Sequence, residues 1–182
     1  MPLHIRPALP DDVPGLVDLA ARTFPLACPP GLSRSAIGEF VRRNLDTEAF
    51  LAYLGDPTHT VLLGCDPDGR VHAYCLLVEG TAMDETCAEM VTGRPTMGIS
   101  KFYLDPAHHG GGGAVTLLDA VVSTARAHGG VSLWLATNEA NARARAFYTR
   151  NGFLPRGTRI FDVGGTHHVD VVYERPLHAP RP

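Results

Sequence analysis

The stretch from Gly98 to Gly130, GISKFYLDPAHHGGGGAVTLLDAVVSTARAHGG, constrains this chain more than any other. Ile99, Phe102 and Leu104 are strand formers, and Asp105-Pro106 stops the strand because proline has no N–H to give to a ladder. From Ala114 the apolar residues Leu117, Leu118, Val121, Val122 and Ala125 recur at helical spacing. Gly129-Gly130 supplies the C-terminal stop. Between strand and helix stand Gly110, Gly111, Gly112 and Gly113. The first N–H groups of a helix lack carbonyl partners and sit at the positive end of its dipole, so they can hold an anion. A side chain there would keep a phosphate away, which is the reason for glycine. The pattern predicts a strand, a pyrophosphate-binding turn and an amphipathic helix. A flexible connection that binds nothing is the alternative at this point.

Downstream, Val131 to Thr137 is a strongly apolar strand, and NEANARARAFYTRNGF follows it. Strand, helix and strand at this spacing imply a right-handed crossover between parallel neighbours. The 182 residues suit one domain with a substantial core. An apolar fraction of 45% and a charged fraction of 19% are those of an ordinary soluble protein. The net charge of −3 gives no general attraction for nucleic acid or an anionic membrane. No apolar run approaches the ~18 residues that cross a bilayer, and the N-terminus has no signal-peptide pattern. Cys28, Cys65, Cys75 and Cys87 lack close paired spacing and read as reduced cytosolic thiols.

From the start of the chain, Leu3 to Arg6 reads as a strand. Pro10-Asp11-Asp12 opens a helix with Val13, Leu16, Val17 and Ala20 as its buried stripe. After the break at Cys28 to Gly31, Ser33 or Ser35 caps a second helix reaching about Asn44, with Ala36, Ile37, Phe40 and Val41 on one face. Thr47 to Leu54 is a third, short helix. His59 to Cys65 and Val71 to Val78 form a hairpin across Asp66-Pro67-Asp68-Gly69. Ala82 to Thr92 is expected to be a short inserted helix, whose acids Asp84, Glu85 and Glu89 either attract a cationic acceptor or form a plain solvated face. Leu154 to Asp162 and His167 to Glu174 make the last hairpin across Gly164-Gly165, and HAPRP is a loose tail.

YLDPAHHGGGGA, followed by a strand and then by Asn141, Ala144, Phe147-Tyr148 and Gly152-Phe153 in order, resembles the GNAT superfamily of acyl-CoA N-acyltransferases. The resemblance runs from IRPALPDD to VVYERPL and is most similar to the bacterial polyamine acetyltransferase branch. It implies an α/β (α+β) fold: a mixed, mostly antiparallel seven-stranded sheet with splayed parallel central strands and flanking helices. Residues 1–176 are then one acyltransferase domain and 177–182 a tail. The co-substrate implied is acetyl-CoA, with no metal. The acceptor is a small-molecule amine, with a polyamine as the candidate class, in a cytoplasmic protein that binds neither nucleic acid nor membrane; a homodimer is allowed.

Residue by residue, the resemblance lays the pantetheine arm on the backbone of Phe102, Tyr103 and Leu104. It seats the pyrophosphate on the N–H groups of Gly110, Gly111, Gly112, Gly113, Ala114 and Val115. The family usually has Arg or Gln where this chain has His109, after His108; histidine is mostly neutral near pH 7, so cofactor affinity becomes weaker or pH-dependent. Asn141 is the family's cofactor-contacting asparagine and a natural helix N-cap. Tyr148 is the implied general acid: a tyrosine of pKa about 10 stays protonated at pH 7 and can protonate the departing thiolate. Its bland reading is a packing aromatic beside Phe147. Deprotonating an alkyl ammonium of pKa about 10.4 at pH 7 costs roughly 4.6 kcal/mol, so a base is wanted. Ser100 and Ala136 stand where related enzymes often carry glutamate, so Glu79, acting through water, is the candidate, and Ser100 is the alternative holder of that water. Two rivals remain: a non-catalytic acyl-CoA sensor of the same fold, and an NAD-binding Rossmann-type enzyme, which also uses a Gly-rich turn before a helix.

Overall fold

The structure is a computed structural model, and it describes residues 3–163 and 166–177. The hairpin turn expected at Gly164-Gly165 and the tail residues 178–182 lie outside them. The strands are β1 (His4–Pro7), β2 (His59–Cys65), β3 (Val71–Glu79), β4 (Thr96–Leu104), β5 (Ser132–Asn138), β6 (Leu154–Val163) and β7 (Thr166–Pro176). They form one sheet in the order β1-β2-β3-β4-β5-β7-β6. The helices are α1 (Val13–Ala27), α2 (Arg34–Asn44), α3 (Thr47–Gly55), α4 (Gly113–Ala127) and α5 (Ala142–Arg150). β4 and β5 run parallel, while β1–β2, β5–β7 and β6–β7 are antiparallel. A mixed sheet of this order is not the doubly wound parallel sheet of a Rossmann enzyme, and the NAD-binding alternative falls on topology.

The chain divides into two compact units. The first comprises Met1–Leu77 and Lys101–Val121. In α1 the buried residues are Val13, Leu16, Leu19, Ala20 and Thr23, with Leu19 taking the place expected for Val17. The helix starts later than the acids suggested. Residues Pro10–Asp12 form a 3-10 turn, because Asp12 turns back to accept from the Leu9 N–H and from Arg6 at 2.7 Å. Ser33 caps α2, its hydroxyl accepting from the Ala36 N–H at 3.1 Å. No residue of α2 is fully buried, so the predicted apolar face is only half-covered. Phe24 of α1 stacks on Phe40 of α2 with centroids 4.4 Å apart. Phe50 of α3 meets Tyr74 of β3 edge-on at 5.6 Å, and Tyr74 stacks on Tyr103 of β4 at 5.4 Å. Burying rings of this size supplies much of the unit's apolar stabilisation.

The second unit comprises Val78–Ser100 and Val122–Pro182. Cys87, Val91, Trp134 and Val172 pack into one fully buried cluster, with Met83, Met90 and Ala136 against it. The segment 82–92 is not the helix expected. It is a series of turns with one 3-10 turn at Glu85–Cys87, because its polar groups are claimed from outside. Arg159 of β6 pairs with Asp84 and, at 3.1 Å, with Asp170 of β7. Glu174 accepts from the Thr92 and Gly93 N–H groups at 3.1 and 2.7 Å and pairs with Arg156 at 2.9 Å. Burial alone would raise the Glu174 carboxyl, but the Gly93 and Thr92 N–H groups, with the Ser132 and Thr92 hydroxyls, outweigh it and hold it below its ordinary value. A cavity of about 470 Å³ borders Glu174, Arg156 and Val131 and includes none of the candidate site residues. Leu177, assigned above to the tail, is instead buried, and its N–H donates to the Val131 carbonyl at 2.7 Å.

Candidate active site

In the first unit the glycine turn is built as the sequence pattern asks. Asp105 ends β4 and accepts from the Ala107 N–H at 3.0 Å, nucleating a 3-10 turn at Pro106–His108. Arg22 of α1 pins the same carboxylate at 2.6 Å and holds its pKa below the ordinary value, with burial opposing. Gly110 and Gly112 then take φ of +80° and +81°, the left-handed region that an L side chain avoids at a cost of roughly 1–2 kcal/mol. At both positions a Cβ would meet nothing within 4 Å, so these glycines answer a conformational demand and leave the turn open. Gly113 differs, since a Cβ there would come within 3.3 Å of Leu3.

α4 begins at Gly113, and the first bond of its ladder is the Thr116 N–H to the Gly112 carbonyl at 3.0 Å. The N–H groups of Gly113, Ala114 and Val115 therefore have no acceptor within the helix. Leu117, Leu118, Val121, Val122 and Ala125 are buried, as their spacing predicted. His109, the departure from the family pattern, faces the strand: its Nε2 lies 3.2 Å from the Leu104 carbonyl. A carbonyl only accepts, so that nitrogen carries the proton. His108 instead packs its ring 4.0 Å from His72, whose Nε2 is 2.8 Å from Asp66. Phe102, Tyr103 and Leu104 complete β4 ahead of the turn and are all half-buried. Burial pushes the Tyr103 hydroxyl well above its ordinary pKa.

In the second unit Asn141 caps α5, its side-chain oxygen accepting from the Ala144 N–H at 3.0 Å. The capping reading of that residue is therefore correct whatever else it does. Tyr148 lies two residues before the helix ends and is 7% exposed. Its ring meets Phe147 and Phe153 edge-on at 5.3 and 5.4 Å. Gly152, at φ +82°, turns the chain back so that the Phe153 N–H reaches the Tyr148 carbonyl at 3.0 Å. The Gly-Phe pair of the motif thus fixes the tyrosine's ring. Glu79 ends β3 with its side chain half exposed, 3.5 Å from His128 Nδ1. Sequence reasoning gave no hint of that histidine, which follows α4 by one residue. Asp84 is committed to Arg159, leaving Glu85 and Glu89 as the exposed acids of the inserted segment. Among the described residues, no group of three His, Cys, Asp or Glu side chains is arranged to hold a metal ion, and the four cysteines are free.

A mixed seven-stranded sheet whose β4 leads through an open glycine turn into α4, followed by β5 and a tyrosine-bearing α5, is the architecture of acyl-CoA N-acyltransferases. The chain belongs to the acetyltransferase (GNAT) family, whose model matches residues 17–153, and is an N-acetyltransferase on that membership. An uncharacterized N-acetyltransferase of Mycobacterium tuberculosis is 39% identical over 166 residues, 91% of this chain and 98% of the relative. Among solved structures, the fold matches the PaiA N-acetyltransferase of Thermoplasma acidophilum in complex with coenzyme A. That match has a TM-score of 0.72 and 17% identity, over 97% of this chain and 99% of the other. The spermidine/spermine N-acetyltransferase SpeG of Vibrio cholerae matches with a TM-score of 0.65 and 14% identity, over 96% and 95%. The ribosomal-protein-S18-alanine N-acetyltransferase of Escherichia coli matches with 0.68 and 15%, over 98% and 96%. At these identities the structures share the fold with this chain.

Proposed function

We propose that the protein transfers an acetyl group from acetyl-CoA to a primary amine of a small molecule, by direct attack of the amine on the thioester. The observation that carries this reading is the open glycine turn, with left-handed Gly110 and Gly112 ahead of the unpaired N–H groups of a 15-residue helix. The pyrophosphate rests on the backbone N–H groups from Gly110 to Val115, where the helix dipole favours negative charge. The pantetheine arm lies along Phe102, Tyr103 and Leu104, and Asn141 contacts the cofactor. The bond of His109 to Leu104 ties the turn to the strand.

In the transfer step the amine lone pair attacks the thioester carbonyl, and collapse of the tetrahedral intermediate expels the CoA thiolate. Tyr148 supplies the proton to that sulfur. Before the attack, Glu79 takes through water the proton that the substrate ammonium must lose to expose its lone pair, with His128, 3.5 Å away, close enough to share it. The acceptor class put forward is a polyamine: Glu85 and Glu89 are exposed carboxylates able to meet distal ammonium groups, whereas Asp84 is neutralised by Arg159. Residues 1–176 act as one acyltransferase domain in this reading, in a cytoplasmic protein, with a homodimer to be checked by sedimentation.

Calorimetry with acetyl-CoA and NAD, followed by turnover with an amine panel that includes spermidine, tests the proposal. Micromolar acetyl-CoA binding, about −8 kcal/mol, and thiol release with at least one amine are expected. NAD binding without CoA binding would overturn it.

A further inference from the structure

Lys101 is the only lysine in the chain; every other one of its 16 lysine and arginine residues is an arginine. This one side-chain amine is on β4, one residue before Phe102, in the same compact unit as the glycine turn. It is half-buried, with Nζ 4.7 Å over the centre of the Tyr53 ring. Tyr53 meets Phe50 edge-on at 5.9 Å, and Phe50 meets Tyr74, so the amine is set against an aromatic wall. Burial pulls its pKa down to about 8. Near pH 7.5 roughly a quarter of such a group is neutral, against roughly 0.1% for an ordinary lysine of pKa about 10.4. Nothing in the transfer mechanism above uses it.

The placement follows from the proposed function, on which this inference rests. With the pyrophosphate at Gly110 to Val115, beyond the C-terminal end of β4, an arm laid on Leu104, Tyr103 and Phe102 runs back toward the strand's N-terminus. Its sulfur then comes level with Lys101, about 10 Å from Leu104 at ~3.3 Å per residue. We propose that Lys101 is a self-acylation site, its side-chain amine accepting the acetyl group of the acetyl-CoA held by the same unit. The neutral Nζ attacks the thioester carbonyl, the N–C bond forms and the C–S bond breaks. The proton lost by nitrogen goes to the departing sulfur, giving Nε-acetyl-lysine and free CoA thiol with no change of oxidation state. The product is uncharged, so acylation removes the cost of holding an ammonium in that position.

The full-length protein is incubated with acetyl-CoA, without any acceptor, over a range of pH. Intact mass and peptide mapping follow, with acetyl-CoA binding measured on the same samples by calorimetry. A chain with one lysine makes the readout plain, because the α-amino group is the other primary amine. One acetyl group on Lys101 is expected, its rate rising to a plateau just above pH about 8 and lost in Gly112→Glu. Lys101→Arg should still bind acetyl-CoA yet take no label at position 101. Acetyl-CoA binding with Lys101 unlabelled overturns the inference and leaves the acyltransferase reading standing; no binding overturns both. Labelling that persists in Gly112→Glu, or that keeps rising toward the ordinary lysine pKa, marks reaction with free acetyl-CoA in solution and overturns the inference too.

Discussion

At the scale of single residues, two side chains carry opposite lessons. Tyr148 stood out in the sequence through the family motif, and the motif's other residues have structural jobs around it: Asn141 caps its helix, Phe147 and Phe153 pack on its ring, and Gly152 turns the chain back. Tyr148→Phe keeps that packing and loses one hydroxyl, so stability should drop by about 1 kcal/mol or less. The transfer rate should fall roughly 10²–10⁴-fold if the hydroxyl is the proton donor. A pH series of initial rates tests it beside Glu79→Gln, whose deficit should shrink as the pH rises and more amine arrives neutral. A Tyr148→Phe rate within about twofold of the parent would make the tyrosine packing alone and favour a sensor. Lys101, by contrast, was not readable as special, because its depressed pKa comes from burial against residues far away in the chain. Its titration predicts a sign. Folded Lys101 releases its proton near pH 8, while the unfolded chain holds it to about 10.4. Between those values the unfolded state binds more protons, so stability should rise with pH across that window. Urea titrations should show the rise in the parent and a flatter profile in Lys101→Met; equal profiles would mean the ammonium is not desolvated.

At the scale of elements, the strand, turn and helix around the glycines were readable because each obeys a local rule: a proline stop, a left-handed turn, a 3.6-residue apolar period. The segment 82–92 was not, although its acids and apolar residues suit a short helix. Its conformation is set by Arg159, Glu174 and the Trp134 cluster, which are distant in sequence, and such tertiary demands override weak propensity. The late start of α1 has a similar cause, since Asp12 serves Arg6 and Leu9 instead of a helix N-terminus. The glycine turn allows conformation and ligand contact to be separated by experiment. Gly112→Ala adds only a methyl group pointing into open space, so its effect is the left-handed backbone cost, roughly 1–2 kcal/mol of stability. Gly112→Glu bears the same backbone cost and adds negative charge where phosphate is proposed to sit. Chemical denaturation should place the two variants together, while calorimetry should separate them, with acetyl-CoA binding weakened in the first and lost in the second. Equal, unchanged affinities would place the pyrophosphate elsewhere.

At the scale of the whole molecule, the succession of the seven strands and five α-helices was readable, the inserted segment 82–92 apart, whereas the strand order was not. β7 enters between β5 and β6, a pairing made over long sequence separations by buried faces such as Val171, Val172 and Tyr173, which no local pattern announces. What a bound ligand does to the whole chain is nevertheless predictable from mass action. A ligand that binds only the folded state adds RT ln(1 + [L]/Kd), about 2.7 kcal/mol at a hundred times Kd. For a chain of this length each kcal/mol moves Tm by about 2–4 °C, so acetyl-CoA at that excess should raise Tm by roughly 5–11 °C. CoA itself should give a comparable rise, because the proposed contacts are to the pyrophosphate and the arm, which it shares. NAD also carries a pyrophosphate but lacks the pantetheine arm to lie along Phe102 to Leu104, and should give little. Gly112→Glu should unfold with no rise at any acetyl-CoA concentration, whereas Tyr148→Phe should keep the full rise while losing turnover. A thermal shift with NAD equal to that with acetyl-CoA would mean that the turn alone does the binding, and β4 would lose its proposed part in recognising the arm.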